Sequence, residues 1–347
     1  MSEMLKAEFL GDELETVMAC PVCENQNGTI LHSDLEDITF GNVAGQFRMK
    51  SCTECRAIYL DPRPIPDVIG RAYSRYYTHV DNTGDQDGQR SLIRRVRRML
   101  ANDYRAVRYG AKVGPRLPLG AMLLKVLPRQ RMVMDTYYRY LPRTKGRVLD
   151  FGCGNGAFLT LARDVLGWDV KGLDFDPDAV AKARMAGLDV DQGGPEALDA
   201  LEEQFEAITL AHVIEHVYNP RDLMAAVFAR LKPGGFVFVE TPNATAQSHQ
   251  VFGPHWRGLE APRHLMVPSW SAMERLLGDA GFEGLIRHPR LDTFAPMYKR
   301  SAALAEGQNS EDPASQARAD PPAEMIAEIA ADPDRCEYVT MTAHKPG

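Results

Sequence analysis

Val148-Leu149-Asp150-Phe151-Gly152-Cys153-Gly154-Asn155-Gly156 is the stretch whose reading decides the fold. A short apolar run feeds into an acid and three glycines at alternate positions. From Ala157 to Leu166 the spacing becomes helical. The pattern predicts a strand, a tight glycine turn and the start of a helix. Bare backbone at such a turn lets a ligand lie where a side chain would block it. Gly152, Gly154 and Gly156 are therefore candidate binding positions.

Around this stretch, strand signals at Arg147–Asp150, Asp169–Asp174, Leu188–Val190, Ala207–Ala211 and Phe236–Glu240 alternate with helical segments such as Asp178–Met185 and Pro220–Leu231. Alternation of this kind predicts an α/β fold, a parallel sheet with helices on both faces. Lys232-Pro233-Gly234-Gly235 reads as the turn that stops a helix and opens the next strand. Pro268–Ala280 reads as a helix, with Ser269 or Ser271 as N-cap and Gly281 as its stop. Strands near Phe282–Arg287 and 337–343 are expected to pair antiparallel, with the polar stretch 302–334 as a mobile insertion between them.

The turn discriminates between ligands. A dinucleotide calls for G-x-G-x-x-G, whereas the glycines here fall as G-x-G-x-G. Asp150, just before them, would repel a pyrophosphate. The sulfonium and ammonium of S-adenosylmethionine suit that acid better. The second strand ends at Asp174, where a carboxylate can accept both ribose hydroxyls. Phe175 beside it is placed to pack on the adenine.

With these residues in view, the chain resembles a class I S-adenosylmethionine-dependent methyltransferase. Four segments match in order: VLDFGCGNGAFL, VKGLDFDPDAV, ITLAHVIEHVYNP and LKPGGFVFVETPN. The resemblance implies a Rossmann-like sheet of seven strands. It implies that Asp150, Gly152 and Gly154 contact the methionine end and that Asp174 takes the ribose. Gly193, Ala211 and His212 would border the adenine and sulfonium.

Six cysteines are present, and four form the pairs Cys20-x-x-Cys23 and Cys52-x-x-Cys55. Two such knuckles complete a closed tetrahedral site of four thiolates, for which zinc is the expected metal. The loop between them is long enough for a small hairpin. The arrangement, followed by Pro62–Pro66 and Tyr73–His79, is similar to the zinc-binding leader before some bacterial methyltransferase domains, sugar C-methyltransferases among them. Cys153 sits inside the glycine turn, where a small buried residue is needed, and has no redox role.

His212-Val213-Ile214-Glu215-His216 matches the H-x-x-E-H pattern of one class of zinc peptidases. That pattern needs a long helix, and here it directly follows a buried strand. A related E-x-x-E-H set binds a divalent metal in some quinone O-methyltransferases, but His212 replaces the first acid. Glu215 and His216 are expected to be satisfied by backbone groups. Further on, His255-Trp256-Arg257-Gly258-Leu259-Glu260-Ala261-Pro262-Arg263-His264 is a polar, aromatic loop at the carboxyl edge of the sheet. Trp256 is expected to form a pocket wall. His264 falls where the resemblance to sugar C-methyltransferases implies a catalytic histidine, although that pattern's upstream tyrosine is replaced by Ala261. His264 or His216 is the candidate base; Arg263 and His264 as mere loop anchors weigh equally.

The 347 residues divide into a zinc-ribbon-like module (1–65), a helical cap (66–145) and the methyltransferase domain (146–347). In the cap, residues 91–109 form a basic amphipathic helix: Leu92, Val96, Met99, Leu100 and Val107 share one face, and six arginines mostly occupy the other. An anionic membrane surface or a phosphorylated acceptor fits such a helix. The expectation adopted is a solvated arginine face, with the apolar face capping the cleft. The net charge of −7 argues against a nucleic-acid coat. The acidic start, with no signal-peptide core, predicts a cytoplasmic protein. The reading is methyl transfer to an oxygen, less readily a carbon, of a small molecule or glycan. An RNA methyltransferase and a non-catalytic cofactor-binding protein are its rivals.

Overall fold

The computed structural model describes residues 6–74, 92–317 and 319–347. The leader motif beyond Ser74 and the first residue of the expected basic helix, Ser91, lie outside them.

Seven strands form the main sheet: β1 (Arg147–Phe151), β2 (Asp169–Asp174), β3 (Val190–Gln192), β4 (Phe205–Ala211), β5 (Leu231–Pro242), β6 (Glu283–Arg287) and β7 (Tyr338–His344). Their order is β3-β2-β1-β4-β5-β7-β6, the α/β, Rossmann-like arrangement expected. β1 runs parallel to β2 and β4, which sets Asp150 opposite both Gly172 and Thr209. Val148, Leu149, Phe151, Ile208 and Leu210 are all buried, as strands covered on both faces require. β6 and β7 are neighbours, as expected.

One boundary differs. β5 opens at Leu231 rather than Phe236. Gly234 donates to the Lys345 carbonyl at 3.0 Å and Lys345 donates back to Gly235 at 2.9 Å. Lys232-Pro233-Gly234-Gly235 is thus laced to the end of β7, while Gly234 keeps the left-handed φ of a turn, +74°.

The chain folds as two compact units. One comprises Met1–Tyr76, Ala211–Ala225 and Val239–Met341; the other comprises Tyr77–Leu210, Ala226–Phe238 and Thr342–Gly347.

In the first unit, strands Gly28–Leu35, Phe47–Cys52, Ile58–Leu60 and Met266–Val267 form an antiparallel sheet. The segment between the two cysteine pairs therefore holds a hairpin. Phe47, Met49, Leu60, Trp256 and Leu259 share its core. Trp256 is a correction: it is fully buried, not a pocket wall, and its Nε1 donates to Glu337 Oε2 at 3.2 Å. Its charged neighbours Arg257 and Glu260 pair with each other. The helix Trp270–Asp279 begins where the Ser269 hydroxyl accepts the Ala272 N–H, and Gly281 ends it at φ +95°. The stretch 302–334, expected as an insertion, carries the end of helix Phe294–Ala305 and helices Pro313–Gln316 and Ala323–Ala331. Ile329 is buried there against Phe294 and Cys336, with Met325 one turn earlier packing on the same cluster. An apolar pair at i, i+4 suffices to dock a helix whose composition reads as polar.

The second unit contains α1 (Leu92–Tyr109), α2 (Gly120–Lys125) and α3 (Pro128–Tyr137). Leu92, Val96 and Val107, expected under a cap, are exposed. α1 instead buries Asn102, Tyr104, Ala106 and Tyr109. Both tyrosine hydroxyls donate to Asp135 Oδ1, at 2.7 and 2.5 Å. These polar anchors win because they satisfy a carboxylate on α3, and apolar periodicity does not register them.

Candidate active site and metal centre

The glycine turn leaves β1 in the second unit. Gly152, Gly154 and Gly156 all have left-handed φ, from +54° to +79°, which excludes β-branched or bulky residues. Their duties differ. Nothing lies within 4 Å of where a Gly154 Cβ would stand, so the backbone faces open space there. At Gly156 a Cβ would collide with Leu188, so that glycine serves close packing.

Asp174 closes β2 beside this turn. Its carboxylate accepts the Gly154 N–H at 2.7 Å and the Asp176 N–H at 2.9 Å, one on each oxygen. Burial raises its pKa, partly offset by those backbone donors. Phe175 next to it is more than half exposed. Gly193 donates to the Asp174 carbonyl at 2.9 Å. The open turn, the anchored carboxylate and the exposed ring fit a nucleoside with a cationic amino-acid end.

Asp150 is more deeply placed than a direct ligand contact requires. It is fully buried, ion-paired with Arg139 and hydrogen-bonded by the Thr209 hydroxyl at 2.9 Å. Burial pushes its pKa up against the pull of Arg139 and Thr209. Arg139 and Thr209 carried no sequence signal. Arg139 hides in an aromatic run, and Thr209 meets Asp150 only through the pairing of β4 with β1.

In the first unit, β4 ends at Ala211, and His212 follows with φ +57°. A non-glycine residue held there costs about 1–3 kcal/mol, and such positions cluster at functional sites. The segment after it is a single short turn, Ile214–His216, which removes the peptidase reading. Glu215 is buried, and its Oε2 accepts the Thr241 hydroxyl at 2.9 Å. His212 Nδ1 lies 3.4 Å from Oε1, a long ionic contact rather than a hydrogen bond. Burial opposes ionisation of Glu215, but His212, His216 and His264 outweigh it and hold the carboxyl at about 2. Glu215 and Glu240 in turn raise His212 against desolvation. The expectation of backbone partners thus fails for Glu215, whose partners are side chains.

His216 and His264 pack edge-to-face, 4.8 Å between ring centroids. His216 Nδ1 lies 3.1 Å from the Arg263 carbonyl and 3.0 Å from the Tyr73 hydroxyl. His264 Nδ1 lies 2.8 Å from the Gly258 carbonyl. A carbonyl only accepts, so each Nδ1 carries the proton and each basic lone pair sits on Nε2. Burial pushes His264 down to about 4; it is neutral and only 4% exposed. Ligand atoms of Glu215, His216 and His264 all lie within 4.8 Å of one another, so this trio suits a proton or a divalent cation. Arg263 is fully buried between Asp37 (2.6 and 3.1 Å) and Glu260 (3.1 Å). It does anchor the loop, and its carbonyl orients His216.

The four cysteines of the ribbon converge. Cys20 and Cys55 sulfurs are 3.6 Å apart, Cys23 and Cys52 3.4 Å, and all four lie within 4.8 Å. Tetrahedral zinc with bonds of about 2.3 Å separates its sulfurs by about 3.8 Å. The knuckles are built alike. Glu24 donates to the Cys20 carbonyl and Arg56 to the Cys52 carbonyl, both with left-handed φ near +60°. The contact with Cys55 pulls the Cys20 thiol down to about 5 while pushing Cys55 up. The set is crowded with sulfur and suited to a cation.

Residues 128–286 match the family described as "Methyltransferase domain". The chain is similar to the ubiquinone biosynthesis O-methyltransferase of Burkholderia pseudomallei (strain 1710b), 31% identical over 167 residues, 43% of this chain and 72% of that protein. The protein of the same name from Xylella fastidiosa (strain 9a5c) is 36% identical over 140 residues, 38% of this chain and 53% of that one. A solved SAM-dependent methyltransferase from Archaeoglobus fulgidus is 19% identical, with a TM-score of 0.40 over 63% of this chain and 93% of that one. The chain belongs to the class I S-adenosylmethionine-dependent methyltransferases.

Proposed function

We propose that this enzyme methylates a hydroxyl oxygen of a small molecule or glycan, with His216 as the base. The observation that carries this reading is the pair of imidazoles whose Nδ1 atoms are tied to backbone carbonyls beside an ionised Glu215. A hydroxyl becomes a good nucleophile only when its proton is removed, and an imidazole with a fixed Nε2 lone pair does that near neutral pH. His216 is the better exposed of the two histidines; His264 packs against it and backs it. The name of the Burkholderia relative, an O-methyltransferase, supports transfer to oxygen.

S-adenosylmethionine supplies an activated methyl on a sulfonium. Around it, Asp174 would take the ribose hydroxyls, Phe175 would cover the adenine, and Gly152 with the open backbone at Gly154 would receive the amino-acid end. Gly193, which donates to the Asp174 carbonyl, would border the adenine. Asp150, paired with Arg139, would set the electrostatics beneath the turn. The ribbon cysteines Cys20, Cys23, Cys52 and Cys55 would hold one structural zinc, with no open position for chemistry.

The test is incubation with methyl-labelled S-adenosylmethionine and a panel of phenols, catechols and sugar nucleotides, reading the product by mass spectrometry. Methyl ethers are expected. His216→Asn should lower kcat by about 10²–10⁴-fold and leave affinity for S-adenosylhomocysteine unchanged. Product methylated only on nitrogen or carbon, or wild-type kcat in His216→Asn, would overturn the proposal.

A further inference from the structure

The helical segment of the second unit has a charge and polarity that neither the fold nor methyl transfer uses. Between residues 92 and 146 the sequence carries fourteen Lys and Arg, of which Arg139 is spent on Asp150, against two Asp, in a chain whose net charge is −7. Both aspartates are engaged internally: Asp135 with Tyr104 and Tyr109, and Asp103 with the Ala121 N–H at 3.0 Å. Among the described residues, Arg95, Arg97, Arg98, Arg129 and Arg143 have no carboxylate partner. At the end of α1, Lys112, Arg116 and Arg143 line an open cavity of about 460 Å³. Lys145 flanks Gly110 beside Arg143, and burial together with the Lys112 charge lowers its pKa.

The same segment is rich in exposed aliphatic side chains. More than half of the large apolar side chains exposed among the described residues fall between Leu92 and Tyr137. Leu92 is 79% exposed, Ile93 65%, Met122 70% and Val126 73%. On α1 they sit at 92, 93 and 96, with Arg94 and Arg98 on the opposite face of the first turns and Arg95 and Arg97 flanking the aliphatics. α2 meets α1 where Gly120 abuts the Leu100 carbonyl, an approach that leaves no room for a Cβ. That contact brings Leu119, Met122 and Leu123 of the α2 region into the neighbourhood of the α1 aliphatics.

We propose that α1 and α2 form a docking surface for an anionic phospholipid bilayer, lying in its interface with the aliphatic side chains inserted and the arginines at the phosphates. Leu, Ile, Val and Met in this number beside unpaired arginines are the composition of an interfacial helix. Anionic headgroups supply the charge that this segment lacks. No helix among the described residues is long and apolar enough to cross a membrane, so the helices lie on the surface. RNA fits less well, because bases stack on aromatic rings and the exposed residues here are aliphatic apart from Tyr137.

The experiment is sedimentation of the full chain with phosphatidylcholine vesicles, with or without about one-third phosphatidylglycerol, at about 0.1 M and about 1 M salt. Binding is expected only to the phosphatidylglycerol vesicles and is expected to weaken at high salt. Each cation near the surface is worth roughly fivefold, so the triple variant Arg95→Gln/Arg97→Gln/Arg98→Gln should lose on the order of a hundredfold. Leu92→Ser/Ile93→Ser/Val96→Ser, which changes only exposed positions, should weaken binding at both salt concentrations. Circular dichroism confirms that each variant is folded. No binding to anionic vesicles, equal binding to neutral ones, indifference to the arginine variant, or retention on an RNA oligomer or self-association in place of vesicle binding would each overturn the proposal.

Discussion

Asp174→Ala is the substitution that bears most directly on cofactor binding. The carboxylate spends one lone pair on the Gly154 N–H and one on the Asp176 N–H. An ionised carboxylate has about four acceptor positions, so about two remain for ribose hydroxyls. Hydrogen bonds to a charged group are worth about 1.5–3 kcal/mol each. Losing both costs at least about 3 kcal/mol, or roughly a hundredfold in Kd. The fold should survive. Burial raises the pKa of Asp174 above its unfolded value. A carboxyl shifted that way costs stability as pH rises past the unfolded value, because the folded state disfavours the charge. Removing it relieves that cost, against which stand two backbone N–H groups left without an acceptor. Isothermal calorimetry with S-adenosylhomocysteine measures the loss, and thermal melting of the ligand-free protein separates it from unfolding. Asp174→Asn keeps one acceptor and should fall between the two. A folded Asp174→Ala that binds within about threefold of the parent would refute the ribose assignment.

Other outcomes follow from the buried chemistry. Elemental analysis of freshly reduced protein should find near one zinc per chain, and Cys52→Ser should lower both metal content and melting temperature; metal-free protein with an unchanged melt would remove the ribbon site. Arg263→Met takes the cation from between Asp37 and Glu260 and should cost about 3–5 kcal/mol in urea unfolding; an unshifted midpoint would show that the network contributes nothing. Burial holds Glu337 at about 7, well above its ordinary 4.5. At about 1.4 kcal/mol per pH unit, up to about 3 kcal/mol of stability is lost as pH rises from about 4.5 to about 7. Glu337→Gln should flatten that slope, and a parent protein equally stable at both ends would contradict it.

Where local pattern governs, the sequence was readable. The G-x-G-x-G turn, the strand ends at Asp174 and Ala211 and the two cysteine knuckles each follow from a few neighbouring residues, and each sits where the pattern put it; of the two serines offered as the helix cap, Ser269 takes the role. Contacts made by long-range pairing left no such trace. Arg139 meets Asp150, eleven positions away, and Asp37 meets Arg263 across 226 positions. Thr209 reaches Asp150 only because β4 lies beside β1. Trp256 was misread for the same reason: polar neighbours in sequence suggested an opening, but they are consumed by ion pairs with one another. The face of α1 was misread because its burial is carried by tyrosine hydroxyls and Asn102, which hydrophobic periodicity does not count.

The histidine cluster shows how such long-range contacts reach the proposed base. An arginine with no exposure is stable only if its charge is matched and its donors filled. Asp37, Glu260 and the Ala72 carbonyl do that for Arg263. The guanidinium is therefore fixed, and so is its backbone. The Arg263 carbonyl accepts from His216 Nδ1, which puts the basic lone pair on Nε2. The buried ion network thus decides which nitrogen of His216 can take a proton. A substitution at Asp37 touches no ligand of the cofactor, yet it should loosen the imidazole through Arg263. Asp37→Asn should lower kcat, while affinity for S-adenosylhomocysteine stays unchanged. A variant with reduced stability but an unaltered kcat would show that the network supports the fold without orienting the proposed base.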